Sequence, residues 1–566
     1  MAFVLLASMG AQAAHAQFAP GTAPSQIAPP GTRPEPPVTQ PPPRVESAPS
    51  QPVPAGAERV FFTPGSFLVD GEYPEMSAER EGLLGARAGT YLSAADVFRL
   101  ALALEAAYAR RGYVLARVVV PNQTLADGGP VRLVVVDGFV ERVDAGALPP
   151  RVRGRVEAVL RTLEGRPRPT LAELERALLL AGDTPGLVLR STLVEGAKPG
   201  GSVLVVDGEH RVSSGQLYAD NRLADSLGRA QFGTVLSLNS PLGLGEQAYA
   251  QARTGAPLSA QGGSDPRWRV LVLGGDLPVG IDGWRIGAEF ADARTHATPP
   301  PGGLDVAGLM RRSAITLSHL LRRDRDGAAA MSLAVERLDQ RSRAIDFDTD
   351  ISHDRYLALR ARIDWLGVTR WEAPANAQLT LSRGLGGRDA ATAAEERVPL
   401  SRQGAGPSFT KADALLRLAQ PLGVGGARLA MTLAAQTSFG RPMLVPEQFL
   451  LDGPNLLSGV ASGSLAVDRG IAGRAELQHD QPFAGSPGYG GVLRPYAFAA
   501  YGTGWLAQPT ALEQPRVWGR SLGLGARLDV GAGRGVYAGL EWAYSWIDSP
   551  LLRDGSRITA TLAVPF

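Results

Sequence analysis

The sequence predicts a mixed architecture: two small α/β domains followed by a transmembrane antiparallel β-barrel. Three observations carry this reading. Helical periodicity is confined to the stretch before residue 212. Beyond it, short runs alternate apolar and polar residues between Gly, Pro, Asn and Asp, the period-2 signature of strands. No segment is apolar over the roughly 18 residues a membrane helix needs, so an exported chain of this kind is a soluble periplasmic protein or a β-barrel.

Composition narrows the chemistry. The chain has 566 residues, 68 of them Gly, and no Cys. That length asks for more than one domain, and the absence of Cys excludes thiolate metal sites, disulfides and a cysteine nucleophile. A net charge of +2 gives no global pull toward nucleic acid. The six histidines, His15, His210, His296, His319, His353 and His479, show no metal-ligand spacing. Gly-rich stretches such as GLGGRD and GAGRGVYAG do not lead from a strand into a helix, so they read as hairpin turns rather than phosphate loops. The expectation is a protein with no catalytic site, no metal and no cofactor.

Residues 1–16 form a short apolar run ending Ala14-His15-Ala16, which reads as a signal peptide with an A-x-A site. Residues 17–57 are Pro-rich and read as an extended linker without helical pattern, hence without a plug helix.

Residues 58–138 read as the first α/β domain. Ser93 caps a helix in which Val97, Leu100, Ala101, Leu104 and Tyr108 share one face. Gly112 stops it, and YVLARVVVP and VRLVVVDG follow as strands. Residues 139–211 repeat the plan. FVERVDAG is a strand, VRGRVEAVLRTL a helix, and Thr170 with Glu173 makes a capping box for LAELERALLLA. The endings VRLVVVDG and VLVVDG suggest an internal repeat.

Residues 212–566 read as the barrel, with helix signals gone. In YLALRARIDW, Leu357, Leu359, Ala361, Ile363 and Trp365 share one face, while Ala358, Arg360, Arg362 and Asp364 share the other. In SLGLGARLDV, Leu522, Leu524, Ala526, Leu528 and Val530 oppose Ser521, Gly523, Gly525, Arg527 and Asp529. A dry outer face beside a charged inner one, sustained over about 350 residues, favours a membrane barrel with a polar lumen. The chain ends ITATLAVPF, alternating up to Phe566, the kind of terminal aromatic that barrel-insertion machinery reads. Pro565 must then sit at a strand end, where no ladder donor is needed.

Several blocks now point to one family. ARRGYVLARVVVPNQTLADGGPVRLVVVDGFVERV resembles a first POTRA domain through Gly112, Tyr113, Pro121, Gln123 and Gly138. LLLAGDTPGLVLRSTLVEGAKPGG resembles a second, with Pro185-Gly186 at its helix–strand junction. YADNRLADSLGRAQFGTVLSLNSPLGLGEQ is similar to a first barrel hairpin. Together they resemble the outer-membrane transporters of two-partner secretion, the TpsB group of haemolysin and filamentous-haemagglutinin secretion proteins. The resemblance implies two POTRA domains and a barrel of about 16 strands, each about 10 residues across the membrane.

It also implies a place for FLLDGPNLLSGVASGSLAVDRG: the sixth extracellular loop, folded back into the barrel. The family carries Val-Arg-Gly-Tyr/Phe at that tip, where this chain has Leu457-Ser458-Gly459-Val460. The family's arginine pairs with the Asp of a wall motif Phe-x-Asp-x-Gly, and the matching stretch here, Phe498 to Gly502, lacks the Asp. Loss of both partners can be nearly neutral where loss of one is not. Asp468-Arg469-Gly470 matches a family-like acidic-Arg-Gly element, with Arg469 or Arg474 as the candidate substitute charge.

By resemblance, then, the chain sits in the outer membrane of a Gram-negative bacterium with its POTRA domains in the periplasm. It would export a large partner exoprotein without ATP, and its partners would be that cargo, the barrel-insertion machinery and outer-membrane lipid, with no nucleic acid. The helix Leu171–Ala181 and its neighbouring strand are the expected cargo surface. An assembly or structural barrel without dedicated cargo and a passive porin are the alternatives.

Overall fold

The computed structural model describes residues 22–27, 51–255, 267–299, 301–423, 425–452, 456–485, 490–511, 513–531, 535–549 and 552–566. The signal-like segment 1–16 lies outside them.

The first unit lays the Ala94–Arg110 helix on a three-stranded sheet. Ser93 and Asp96 satisfy each other's backbone N–H groups as a capping box at its start. Val97, Ala101, Leu104 and Tyr108 are buried against Val118, Val131, Leu133 and Val135. The strand expected over YVLARVVVP contracts to Arg117–Val119, because the Ala116 N–H turns back to the Tyr113 carbonyl. A further helix, Ser77–Leu84, forms where no periodicity signalled one.

The second unit carries the Thr170/Glu173 capping box on helix Leu171–Gly182, beside helix Pro150–Leu160. The repeat is real in topology. In each unit the last strand, Pro130–Val136 or Gly201–His210, is the centre of its sheet. It runs parallel to the unit's outer strand Ser66–Asp70 or Phe139–Asp144, and antiparallel to Arg117–Val119 or Leu187–Glu195. VRLVVVDG and VLVVDG therefore occupy equivalent central places, with a hydrogen-bonded strand on either side. Along Pro130–Val136 burial alternates, so Val131, Leu133 and Val135 face the core while Arg132 stays exposed.

From Ser213 onward the chain forms a closed antiparallel barrel. Its sixteen strands run from Ser213–Asp220 to Gly555–Pro565. The twelfth is Arg469–His479 continued by Gln481–Phe483. The outward faces carry Leu271, Ile315, Leu333, Ile363, Leu379, Leu522, Leu524 and Ile558, all exposed. Exposed aliphatics on every strand face are costly in water and expected in lipid. The first and last strands close the barrel over Gln216–Asp220 and Thr561–Pro565. Pro565 is the last residue of its strand, and Phe566 beyond it still exchanges two backbone hydrogen bonds with Gly215 (2.9 and 3.0 Å).

Two expectations about the chain need correction. Residues 17–57 are not wholly an extended linker: Pro24–Ile27 form a helical turn inside the barrel wall. The Ser25 N–H donates to the Gln340 side chain (3.1 Å), and Ile27 joins Trp268, Tyr356 and Met443 in one buried cluster. Four residues are too few to show periodicity, so only tertiary contacts reveal the turn. Helices also persist after residue 212. Ala390–Glu396 is one, capped by Asp389 in the loop after the ninth strand, Pro374–Gly387.

The second POTRA-like unit docks on one mouth of the barrel. Arg151 and Arg155 donate to the carbonyls of Pro241 (3.2 Å) and Gly280 (2.5 Å) in two hairpin turns. Arg323, at the end of the sixth strand Val306–Asp324, holds both oxygens of Asp183 (2.9 and 3.0 Å). Arg325 pairs with Glu175 at 2.5 Å. The opposite mouth, closed by the long loops, is the distal one.

Candidate functional site

The segment between strands Ala427–Thr437 and Arg469–His479 starts at the distal mouth and folds into the lumen. Its two limbs pair briefly, Phe449 with Val467 and Leu450 with Ala466. Asp452 accepts the backbone N–H groups of Ser464 (2.6 Å) and Leu465 (3.1 Å), which ties the hairpin together. Leu451, Leu456, Leu457, Leu465 and Val467 are buried with Ala472, Phe498 and Ala500 of the wall. This is the expected inward loop, and three groups of polar contacts hold it.

At the tip, the Ser458 hydroxyl accepts from the Arg474 guanidinium at 2.8 Å. Arg474 lies on the wall and is almost fully buried; it also holds Glu541 (2.5 Å) and Glu476 (2.7 Å). Its guanidinium carbon stands 3.5 Å above the Phe498 ring centroid. Arg474 is directly across the ladder from Ala500, the position of the missing aspartate. The cation at this contact therefore stands on the wall, and the loop offers a neutral acceptor. Gly459 makes the approach possible. A Cβ there would fall on the Ser545 hydroxyl and lie 2.8 Å from its Cβ and 3.0 Å from its backbone N. Gly502 faces the same loop: a Cβ there would meet Leu457 and Leu451 at 3.3 and 3.4 Å.

At the lead-in, Glu447 is completely buried. Its carboxylate accepts from Tyr356 (2.6 Å), Arg360 (2.6 Å) and Lys411 (3.1 Å). The contact continues round the wall. Arg360 also holds Glu336 (2.7 Å), Glu336 faces Arg312, and Arg312 reaches Glu289, which accepts from Tyr249 (2.6 Å). A buried carboxylate with two cations and a hydroxyl is well compensated, and removing one member would leave a charge stranded.

At the exit, Asp468 is also fully buried. It accepts the backbone N–H groups of Met443 (3.1 Å) and Ala507 (2.7 Å) and pairs with Arg402. Arg469 instead points outward and lies 5.6 Å over the Trp505 ring; Arg474, not Arg469, supplies the substitute charge at the tip. Gly470 follows on the wall strand, opposite Gly504.

The other residues singled out are dispersed. The Gly112 carbonyl accepts from the Leu171 N–H (2.7 Å), so this turn joins the two α/β units. Tyr113 packs edge-on against Tyr73 (4.9 Å), which also meets Tyr108 edge-on (4.9 Å) and carries the Arg168 guanidinium over its ring (4.0 Å). Burial, with the neighbouring Asp137, pushes the Tyr73 hydroxyl well above the usual tyrosine range. The Gln123 amide and the Arg132 backbone exchange two bonds of 2.8 Å, just past Pro121. Gly138 lies tight against the Leu115 carbonyl. Pro185 accepts from His210 (3.2 Å), and the Gly186 carbonyl takes the Arg211 N–H (2.9 Å), tying the second unit to the first barrel strand. The sequence places Glu447 at the lead-in to the loop and Arg360 on the lumen face but not their pairing, and it gives no sign of Arg402. Their partners are 87, 87 and 66 positions away, and each reads locally as one more polar residue.

Known proteins agree with this architecture. Residues 200–526 match the family described as haemolysin secretion/activation protein ShlB/FhaC/HecB, and residues 73–138 match the ShlB-type POTRA domain. The chain is 26% identical over 256 residues to the haemolysin transporter protein ShlB of Serratia marcescens, covering 44% of this chain and 43% of that one. It is 26% identical over 288 residues to the outer membrane transporter CdiB of Escherichia coli, covering 50% and 47%. It thus spans somewhat under half the length of the curated relatives it matches. Among solved structures, CdiB from Escherichia coli superposes over 92% of this chain and 94% of its own, with a TM-score of 0.66 at 20% identity. CdiB from Acinetobacter baumannii does so over 93% and 94%, with a TM-score of 0.58 at 14% identity. With POTRA units ahead of a sixteen-stranded barrel, and a match across well over half its length, the chain belongs to the haemolysin secretion/activation family ShlB/FhaC/HecB.

Proposed function

We propose that this chain is a two-partner secretion transporter that carries one large exoprotein outward through its barrel. The POTRA units take the cargo in extended form, and folding of the cargo outside gives direction without ATP. The chain is a conduit and not an enzyme. The observation that carries this reading is a closed sixteen-stranded barrel whose lumen holds an inward loop through polar contacts, above POTRA units docked at the other mouth. A passive porin has no use for such units.

The cargo surface needs revision. Helix Leu171–Gly182 carries Glu175, paired with Arg325, and Arg176, which donates to the Leu320 carbonyl (3.4 Å). Its Leu171 N–H is bonded to the first unit. A helix tied at both ends is a poor surface for an incoming chain, so capture falls to the sheets and to the first unit.

The test is secretion in a Gram-negative host, with a large exported protein encoded beside this gene as cargo. Cargo in the medium with the full chain, and none without residues 58–211, is the expected result. Cargo trapped in the periplasm beside a folded barrel favours the alternative, an assembly barrel without dedicated cargo. Docking of the inward loop despite the absent arginine weighs against that alternative, whose main support was the missing pair.

A further inference from the structure

Arg402 belongs to none of the motifs in the sequence, yet it is among the largest fully buried side chains. It sits in the distal loop 388–409, and its three guanidinium nitrogens go to three partners. One pairs with Asp468 at the exit of the inward loop. The second donates to Glu513 (3.1 Å), and the third to the Ala507 carbonyl (2.9 Å), both in the distal loop between strands Gly491–Trp505 and Arg516–Val530. A planar fork of fixed donors serves such a junction; a point charge does not.

The platform beneath Arg402 is held by its own contacts. Arg388, fully buried, binds Glu396 (2.7 Å) and the His353 carbonyl (2.8 Å), which fixes the helix Ala390–Glu396. The Ser401 N–H donates to Asp354 (2.9 Å), and the Ser401 hydroxyl accepts from the Val445 N–H (3.0 Å) of the inward loop. Ala405 and Phe409 pack with Met443, Leu444 and Ile27, so the same loop roofs the helical turn in the lumen.

We propose that Arg402 is the pin of the closed state, the positioning residue that binds three distal loops into one lid. The inward loop cannot leave the lumen until the Arg402–Asp468 pair separates. The lid rests on the transporter reading for its purpose, but its mechanics do not depend on cargo. The chain thus locks with charges on its distal loops and their neighbours where its family uses an arginine on the loop tip.

The experiment uses the full chain in planar lipid bilayers and in whole cells, without cargo. Arg402→Ala, Arg402→Lys, Asp468→Asn and Glu513→Gln are compared with the parent for channel opening, and for maleimide labelling from outside of a cysteine placed at Ala461. Heat-dependent gel mobility reports whether each barrel is folded. Stranding Asp468 should raise the open fraction of Arg402→Ala by about a hundredfold. Arg402→Lys should recover only part of the closure, since it can serve Asp468 but not all three partners. Glu513→Gln leaves the central pair in place and should give a smaller rise. A folded Arg402→Ala barrel with parental opening and labelling overturns the proposal. If Arg402→Ala does not fold, Glu513→Gln and Asp468→Asn decide it, and parental behaviour of both overturns it. Failure of secretion with unchanged channel opening would count against the transport reading alone.

Discussion

Replacing Arg474 by methionine tests whether the tip of the inward loop is held by a wall-mounted cation. The substitution removes the donors to Ser458, Glu541 and Glu476 together. Glu476 keeps Arg527 on both oxygens (2.7 and 2.9 Å). Glu541 keeps two hydroxyls, those of Tyr496 (2.7 Å) and Ser458, but no cation among its described partners. The stranded group is therefore Glu541, and an uncompensated buried charge costs about 3–5 kcal/mol. Adding Glu541→Gln removes that charge and should restore most of the loss. Ser458→Ala deletes the hydroxyl that accepts from Arg474 and bonds to Glu541, while Arg474 keeps both carboxylates, a loss of about 1 kcal/mol. The assay is the temperature at which the compact barrel band disappears on gels, together with outside labelling of a cysteine at Ala461. The expected order of destabilisation is R474M first, then the double variant, then S458A. Equal effects of R474M and the double variant, or a larger effect of S458A, would refute the argument.

Gly459→Ala should lift the loop tip from Ser545, because the new methyl meets backbone as well as a side chain. Overpacking of this sort costs about 1–3 kcal/mol, and labelling at Ala461 should rise while the barrel stays folded. At the other mouth, Asp183→Asn with Glu175→Gln removes two partly exposed ion pairs, worth about 1 kcal/mol or less each. Crosslinking between the second POTRA unit and the barrel should fall modestly, and salt should produce the same change in the parent. The POTRA helices should lose protection in acid. The Ser93 backbone and hydroxyl on Asp96, and the Thr170 N–H on Glu173, hold those carboxyls below their usual range. Their contribution is therefore complete above the ordinary carboxylate pKa of about 4. It is lost as pH falls through the lower folded values. Amide exchange of Ala94–Arg110 and Leu171–Gly182 in the full chain, at pH 7 and below pH 4, checks the sign.

What the sequence determined by itself is everything local. The two capping boxes are readable because Ser93–Asp96 and Thr170–Glu173 are three residues apart and one turn brings them together. Lumen and lipid faces are readable because side chains alternate along every strand, so Arg360 and Ile363 must part company. The loop segment and its missing arginine are readable against the family pattern.

Only the tertiary structure decided what holds that loop. Arg402 and Asp468 are 66 positions apart, and Arg360 and Glu447 87. Nothing local separates them from other lumen charges. Closing the barrel sets which inward side chains face one another, and burial turns those chance neighbours into obligatory pairs, because a charge left alone there has no water to replace its partner. The turn Pro24–Ile27 follows the same logic: four residues hold no helix by themselves, and the wall at Gly308 and Gln340 holds this one.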